Sequence, residues 1–122
     1  MKMPILVVDD SPMARKMLIK ALPPEWKVEI SQAGNGVEAL EQYRAGKPRV
    51  MFLDLTMPDM DGFQVLEVLR EEHLNSIVIM VSADVQPKAQ QRAIALGAVA
   101  FVQKPVTAEK LLPILKQHGL YE

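Results

Sequence analysis

Five short strand-like segments alternate from end to end of the chain with five segments whose apolar residues recur at helical spacing. That alternation restricts the fold more than any other feature. Strands separated by helices cannot pair as hairpins, so they are expected to form a parallel sheet with helices on both faces, joined by right-handed crossovers. Met3 to Val8 is a nearly unbroken apolar run, as a strand covered on both faces requires. Ser11-Pro12 then supplies an N-cap and a proline at the first helical position. The first helix carries Ala14, Met17, Leu18, Ala21 and Leu22 on one stripe and ends at Pro23-Pro24.

Val28 to Ser31 reads as a weaker second strand, and Gly34-Asn35-Gly36 turns into a helix bearing Val37, Leu40 and Ala45, stopped by Gly46 and Pro48. Val50 to Leu53 is the third strand. A loop through Asp61 leads to a third helix, Gly62 to Glu72, with Phe63, Leu66 and Leu69 facing inward. Ile77 to Val81 is a fourth, β-branched strand. Pro87 to Leu96 forms the fourth helix, with Ala89, Ala93 and Leu96 as its core stripe and Gly97 at its stop. Ala100 to Val102 is a short fifth strand, and the last helix runs from about Ala108 to Gln117. Pro113 inside it deletes a backbone hydrogen bond, so the helix is expected to be kinked or to have a separate first turn.

The 122 residues fit one domain, 1–122, with a single core. Basic and acidic residues nearly balance, 14 against 15, and are scattered, which leaves no electrostatic footprint for nucleic acid or an anionic membrane. There is no cysteine, which excludes disulfides and thiolate metal sites. No apolar run approaches a membrane span and no signal peptide precedes the first strand, so the chain is expected to be soluble and cytoplasmic.

In an open parallel sheet, ligands bind outside the carboxyl ends of the strands, near the point where strand order reverses. The residues just past each strand are therefore informative. Strand one ends in Asp9-Asp10, strand three in Asp54, strand four in Ser82, and strand five leads to Lys104-Pro105. Singly, each has an ordinary use: an acid after strand one can cap a helix, Ser82 can be a turn hydroxyl, and Asp54 and Lys104 can be solvated charges. Together they are harder to dismiss. Three clustered carboxylates raise one another's pKa unless cations neutralise them. Lys104 supplies one positive charge, and a hard divalent ion would supply the rest. Carboxylates with retained waters suit Mg²⁺, and the lack of a histidine among these residues argues against zinc.

Val7-Val8-Asp9-Asp10-Ser11, the stretch from Leu53-Asp54 through Met57-Pro58 to Met60-Asp61-Gly62, Val81-Ser82-Ala83 and Lys104-Pro105 resemble the four signatures of response-regulator receiver domains. The resemblance covers essentially the whole chain, in order and at matching spacings. It implies a doubly wound five-stranded parallel sheet in the flavodoxin-like, CheY-like order 2-1-3-4-5 with five helices. It further implies that Asp54 accepts a phosphoryl group from a phosphohistidine on a sensor histidine kinase or phosphotransfer protein. Asp10, Asp54 and the Thr56 backbone carbonyl would bind Mg²⁺ directly, and Asp9 mainly through water. Lys104 would pair with Asp54 and then with a phosphoryl oxygen, while Ser82 would hydrogen-bond another oxygen once phosphate is present. Pro105 is expected to hold the Lys104 loop in a strained or cis geometry.

By the same resemblance Phe101 stands where the family carries its switch aromatic, here without a tyrosine hydroxyl. The face of helix four, strand five and helix five would then engage an unidentified downstream protein, with room for a weak homodimer on phosphorylation. Ile94 and Ile114 read as off-stripe aliphatics on that face, and Met13 and Ile19 as off-stripe on helix one, where sensor kinases commonly dock in this family. Three rival readings fit less well. A haloacid-dehalogenase-type phosphatase needs an acid two residues after the nucleophile, where Thr56 stands. A flavodoxin-like cofactor site would set Asp9-Asp10 against an FMN phosphate. A pseudo-receiver that only binds partners is disfavoured by a complete residue set.

Overall fold

The computed structural model describes residues 2–73, 75–84 and 86–121. Its elements alternate strictly: β1 (Met3–Val8), α1 (Pro12–Ala21), β2 (Val28–Ala33), α2 (Gly36–Gly46), β3 (Val50–Asp54), α3 (Gly62–Glu71), β4 (Ile77–Ser82), α4 (Pro87–Ala95), β5 (Ala100–Gln103) and α5 (Ala108–Gln117). All four strand pairings are parallel, and the order is β2-β1-β3-β4-β5, as expected.

The alternation of side chains along each strand splits the core into two layers. Leu6, Val8, Met51, Leu53, Val78 and Met80 pack under α2, α3 and α4. Ile5, Val7, Val50, Phe52, Ile79 and Val81 pack under α1 and α5. The division follows from crossover handedness. The chain moves one way from β1 to β2 and the other way from β2 onward, so right-handed connections put α1 on the face opposite α2, α3 and α4. The reversal leaves a crevice at the carboxyl ends of β1 and β3, where Val8 pairs with Leu53.

Local signals set the helix starts. Ser11, Asn35, Asp61 and Thr107 each accept a hydrogen bond from a backbone amide three residues on, and Asp61 forms a reciprocal capping box with Gln64. Gly62 sits where α3 lands on β3. A Cβ there would stand 2.6 Å from the Asp54 carbonyl oxygen and 2.9 Å from the Leu55 Cα, so only glycine lets α3 approach so closely.

Several expectations are corrected. On α2 the buried positions are Gly36, Ala39, Leu40 and Tyr43, while Val37 is 56% exposed and Ala45 is exposed. The stripe is rotated toward Tyr43, whose ring is buried and whose hydroxyl accepts a hydrogen bond from the Asn75 amide at 2.9 Å. Met17 is 45% exposed rather than core, because Leu18 and Ala21 face the sheet. Ile19 and Ile114 are half-buried against the core, whereas Met13 and Ile94 are exposed as anticipated. α5 is one helix through Pro113, so its first turn is not separate. Pro113 is exposed, and Leu111 and Leu115, fully buried on the opposite side, hold the helix together. β2, β3, β4 and β5 also run one or two residues further than their apolar patterns suggest, and those extra residues matter for the site.

Candidate functional site

The strand extensions place polar side chains on the rigid sheet rather than on loops. Asp54 is the last residue of β3 and pairs with Val81, and Ser82 is the last residue of β4 and pairs with Gln103. Asp9 follows β1 directly, and its amide donates to the Ala33 carbonyl at 3.1 Å. The Lys104 amide donates to the Ser82 carbonyl at 2.8 Å, which ties the end of β5 to the end of β4. The Lys104–Pro105 peptide bond is cis.

These ties converge on one pocket. Asp9, Asp54 and Ser82 are buried, at 5%, 3% and 2% exposure, and apart from Tyr43 are the only buried side chains with a polar group among the described residues. Asp10 is exposed at the mouth. One carboxylate oxygen from each of Asp9, Asp10 and Asp54 lies within 4.8 Å of the others. The Lys104 ammonium bridges two of them, 2.8 Å from Asp9 Oδ2 and 3.2 Å from Asp54 Oδ1. The family resemblance pairs Lys104 with Asp54 alone; the shorter contact is to Asp9. Ser82 Oγ accepts a hydrogen bond from the Asp84 amide at 3.0 Å, which leaves its hydroxyl proton available to a further acceptor. Thr56 is exposed in the loop after β3, and Phe101 is half-buried against the core layer under α2, α3 and α4.

The electrostatics are out of balance in the protein alone. Burial, and then the neighbouring Asp9 carboxylate, push the Asp54 carboxyl up from 3.8 to about 6, and the Lys104 ammonium only partly offsets this. Burial works against the Lys104 charge, but its hydrogen bond to Asp9 and the Asp54 charge outweigh that and hold its pKa above the ordinary value. Three carboxylates against one ammonium leave a formal excess of two negative charges. The donors are all oxygen, so the arrangement fits a hard divalent cation. The same oxygens, with an ammonium and an uncommitted hydroxyl around them, can surround a phosphoryl group.

Two residues that hold the site carry no motif in the sequence. Arg15 on α1 donates from Nη1 to the Asp9 carbonyl at 2.6 Å and from Nε to Gln32 Oε1 at 2.9 Å. Asp84 links Ser82 to α4, since its Oδ1 accepts from the Gln86 amide at 3.0 Å. Each is a polar residue near a helix start, a setting that usually signals only capping.

Comparison with known proteins gives a consistent result. The family profile for the response regulator receiver domain matches residues 5–116. The chemotaxis protein CheY of Bacillus subtilis is 33% identical over 113 residues, covering 93% of this chain and 94% of that protein. A protein-glutamate methylesterase/protein-glutamine glutaminase of Syntrophomonas wolfei is 39% identical over 103 residues, which cover 83% of this chain but 29% of that protein. Among solved structures, the signal receiver domain of the putative response regulator NarL from Mycobacterium tuberculosis superposes with a TM-score of 0.86 at 32% identity. That match covers 96% of this chain and 95% of the other.

Proposed function

The chain belongs to the response regulator receiver family, and from that premise we propose that it is a phosphorylation-operated switch with Asp54 as the acceptor, the whole of 1–122 forming one receiver domain. The observation that carries the proposal is the position of Asp54: buried, at the end of a strand, within 3.2 Å of the Lys104 ammonium and beside Asp9 and Asp10. A carboxylate oxygen of Asp54 attacks the phosphorus of a phosphohistidine on a partner kinase or phosphotransfer protein. The P–N bond breaks, its electron pair returns to the imidazole, and an acyl phosphate forms on Asp54. The work of the protein is in-line positioning and charge neutralisation.

Asp10, Asp54 and the Thr56 carbonyl would hold Mg²⁺ directly and Asp9 through water; bound there, the ion neutralises phosphoryl oxygens. Lys104 shifts from Asp54 to a phosphoryl oxygen while keeping its bond to Asp9. Ser82, at the end of the neighbouring strand, is drawn toward the phosphoryl group and donates its O–H to another oxygen. That movement vacates space beside β5 and lets Phe101 turn further inward, which alters the face of α4, β5 and α5 that meets the downstream target. A protein donor is supported by an apolar groove of about 360 Å³ beside the acceptor, bounded by Met17 and Leu18 of α1 and by Pro105 and Val106. Met13, 66% exposed, extends the apolar surface along α1.

Because the site brings its own lysine and acids, a small donor should suffice. Incubation with acetyl phosphate and Mg²⁺ is expected to add one phosphoryl group to the wild-type protein and none to Asp54→Asn, read by intact mass. Equal labelling of the two proteins would remove Asp54 from the mechanism.

The tryptophan supplies an independent check on placement. Trp26 precedes β2 at the amino-terminal rim of the sheet and donates from Nε1 to the Leu120 carbonyl at 2.9 Å, on the side of the molecule away from the carboxyl ends. Mg²⁺ at saturating concentration, with occupancy shown by calorimetry, is expected to leave its emission unchanged. A strong quench would put the ion at the wrong end of the sheet.

A further inference from the structure

α4 is the helix held least by the core. Among the described residues it buries a single side chain, Ala93, whereas α3 buries Gly62, Val65, Leu66 and Leu69. A helix with so thin an apolar attachment is positioned largely by its polar ties, and several of these run to α3. The Arg92 guanidinium lies 4.3 Å from the centroid of the Phe63 ring, within cation–π range. The same guanidinium reaches Glu67 Oε1 at 3.3 Å from Nη2. Arg70 Nη1 donates to the Ala95 carbonyl at 3.3 Å, at the other end of α4. The backbone next to Phe63 is tied to the end of β3, because the amide of the preceding Gly62 donates to the carbonyl of Leu55, the residue after Asp54, at 2.8 Å.

The start of α4 is tied to the other side of the site. Ser82 Oγ accepts from the Asp84 amide, and Asp84 Oδ1 accepts from the amide of Gln86, the N-cap residue of α4, which has no side-chain cap of its own. Movement of Ser82 toward a phosphoryl group on Asp54 therefore strains or drags the first turn of α4. Arg92, a turn and a half further on, resists that displacement.

We propose that Arg92 is a latch: its stacking on Phe63 and ion pair with Glu67 hold α4 in the resting position, and release of this contact is part of the switch. The proposal rests on the reading of Asp54 as phosphoacceptor and goes beyond it by naming the contact that sets the resting balance. Arg92 touches no reacting atom and is a positioning residue. Both Arg92 and Glu67 are about half exposed, so replacing them should leave the core intact. Each tie is modest, and together they should shift a two-state balance by about fivefold.

Beryllofluoride, which mimics the acyl phosphate, binds the switched state, so its apparent affinity reports that population. Arg92→Ala is expected to raise beryllofluoride affinity about fivefold in the presence of Mg²⁺. Mg²⁺ affinity without the mimic should stay the same, and amide exchange should accelerate in α4 but not in α3. Arg92→Lys keeps a cation over the ring but loses the planar fork, and should fall between the two. Faster α4 exchange with unchanged beryllofluoride affinity would make the contact merely structural and overturn the latch; so would no change in either. If the wild-type protein takes up no beryllofluoride, the acceptor reading of Asp54 fails. The latch, which rests on that reading, then falls with it.

Discussion

Asp10→Ala is expected to weaken Mg²⁺ binding by about a hundredfold or more, whereas Ser82→Ala should leave it within about twofold. The two residues border the same pocket, but only one carries charge that an ion must answer. Asp10 stands at the exposed mouth, where its oxygen comes within 4.8 Å of those of Asp9 and Asp54. Removing it takes away one direct ligand and half of the formal excess negative charge, because Lys104 already answers part of what Asp9 and Asp54 hold. Ser82 Oγ accepts from the Asp84 amide and carries no charge, so it offers a cation little. Ser82→Ala should therefore impair the phosphorylated state and spare the metal. Titration calorimetry on both variants separates these effects, and similar losses of Mg²⁺ affinity would contradict the division of roles.

The sequence carried the sheet and the site further than it carried the helix faces. Fully buried parallel strands are recognisable as continuous apolar runs, and the residue after each run marks Asp9, Asp54 and Ser82 as neighbours on one rim of the sheet. The runs stop one or two residues before the hydrogen-bonded ladder does, because hydrophobicity ends where the site begins while backbone pairing continues through Asp54, Ser82 and Gln103. Helix faces were harder. Val37 and Met17 satisfy an apolar stripe as well as their neighbours do, yet both are exposed, because the buried faces are centred on Ala39, Leu40 and Tyr43 in α2 and on Leu18 and Ala21 in α1. Tyr43 gave no signal because a tyrosine fits a surface as readily as a core until its hydroxyl finds a partner, here the Asn75 amide. Arg15, Asp84 and Arg92 were not legible at all. Their roles depend on which elements lie side by side, and no local spacing encodes that.

Without Mg²⁺, Asp54→Asn is expected to be more stable than wild type at pH 7, by about 2–3 kcal/mol, and to lose most of that advantage near pH 4. The folded protein holds the Asp54 carboxyl near 6 against an ordinary 3.8, chiefly through burial and the Asp9 charge. Between these two values the folded state binds a proton that the unfolded chain has already released. Stability therefore falls as pH rises through this window, and above about 6 the whole cost of an ionised, buried Asp54 is present. Asparagine has the same shape without the charge, and Lys104 keeps its 2.8 Å contact with Asp9, so the substitution strands no cation. Below the window Asp54 is already neutral in the fold and the two proteins should converge. Mg²⁺ offsets the same repulsion and should stabilise the wild type strongly but Asp54→Asn only weakly. Urea denaturation at pH 4 and pH 7, with Mg²⁺ and with chelator, measures all of these differences in one series. If Asp54→Asn is the less stable protein at pH 7, or if its advantage does not change with pH, then Asp54 is not held in a repulsive pocket and the electrostatic case for a divalent ion there fails.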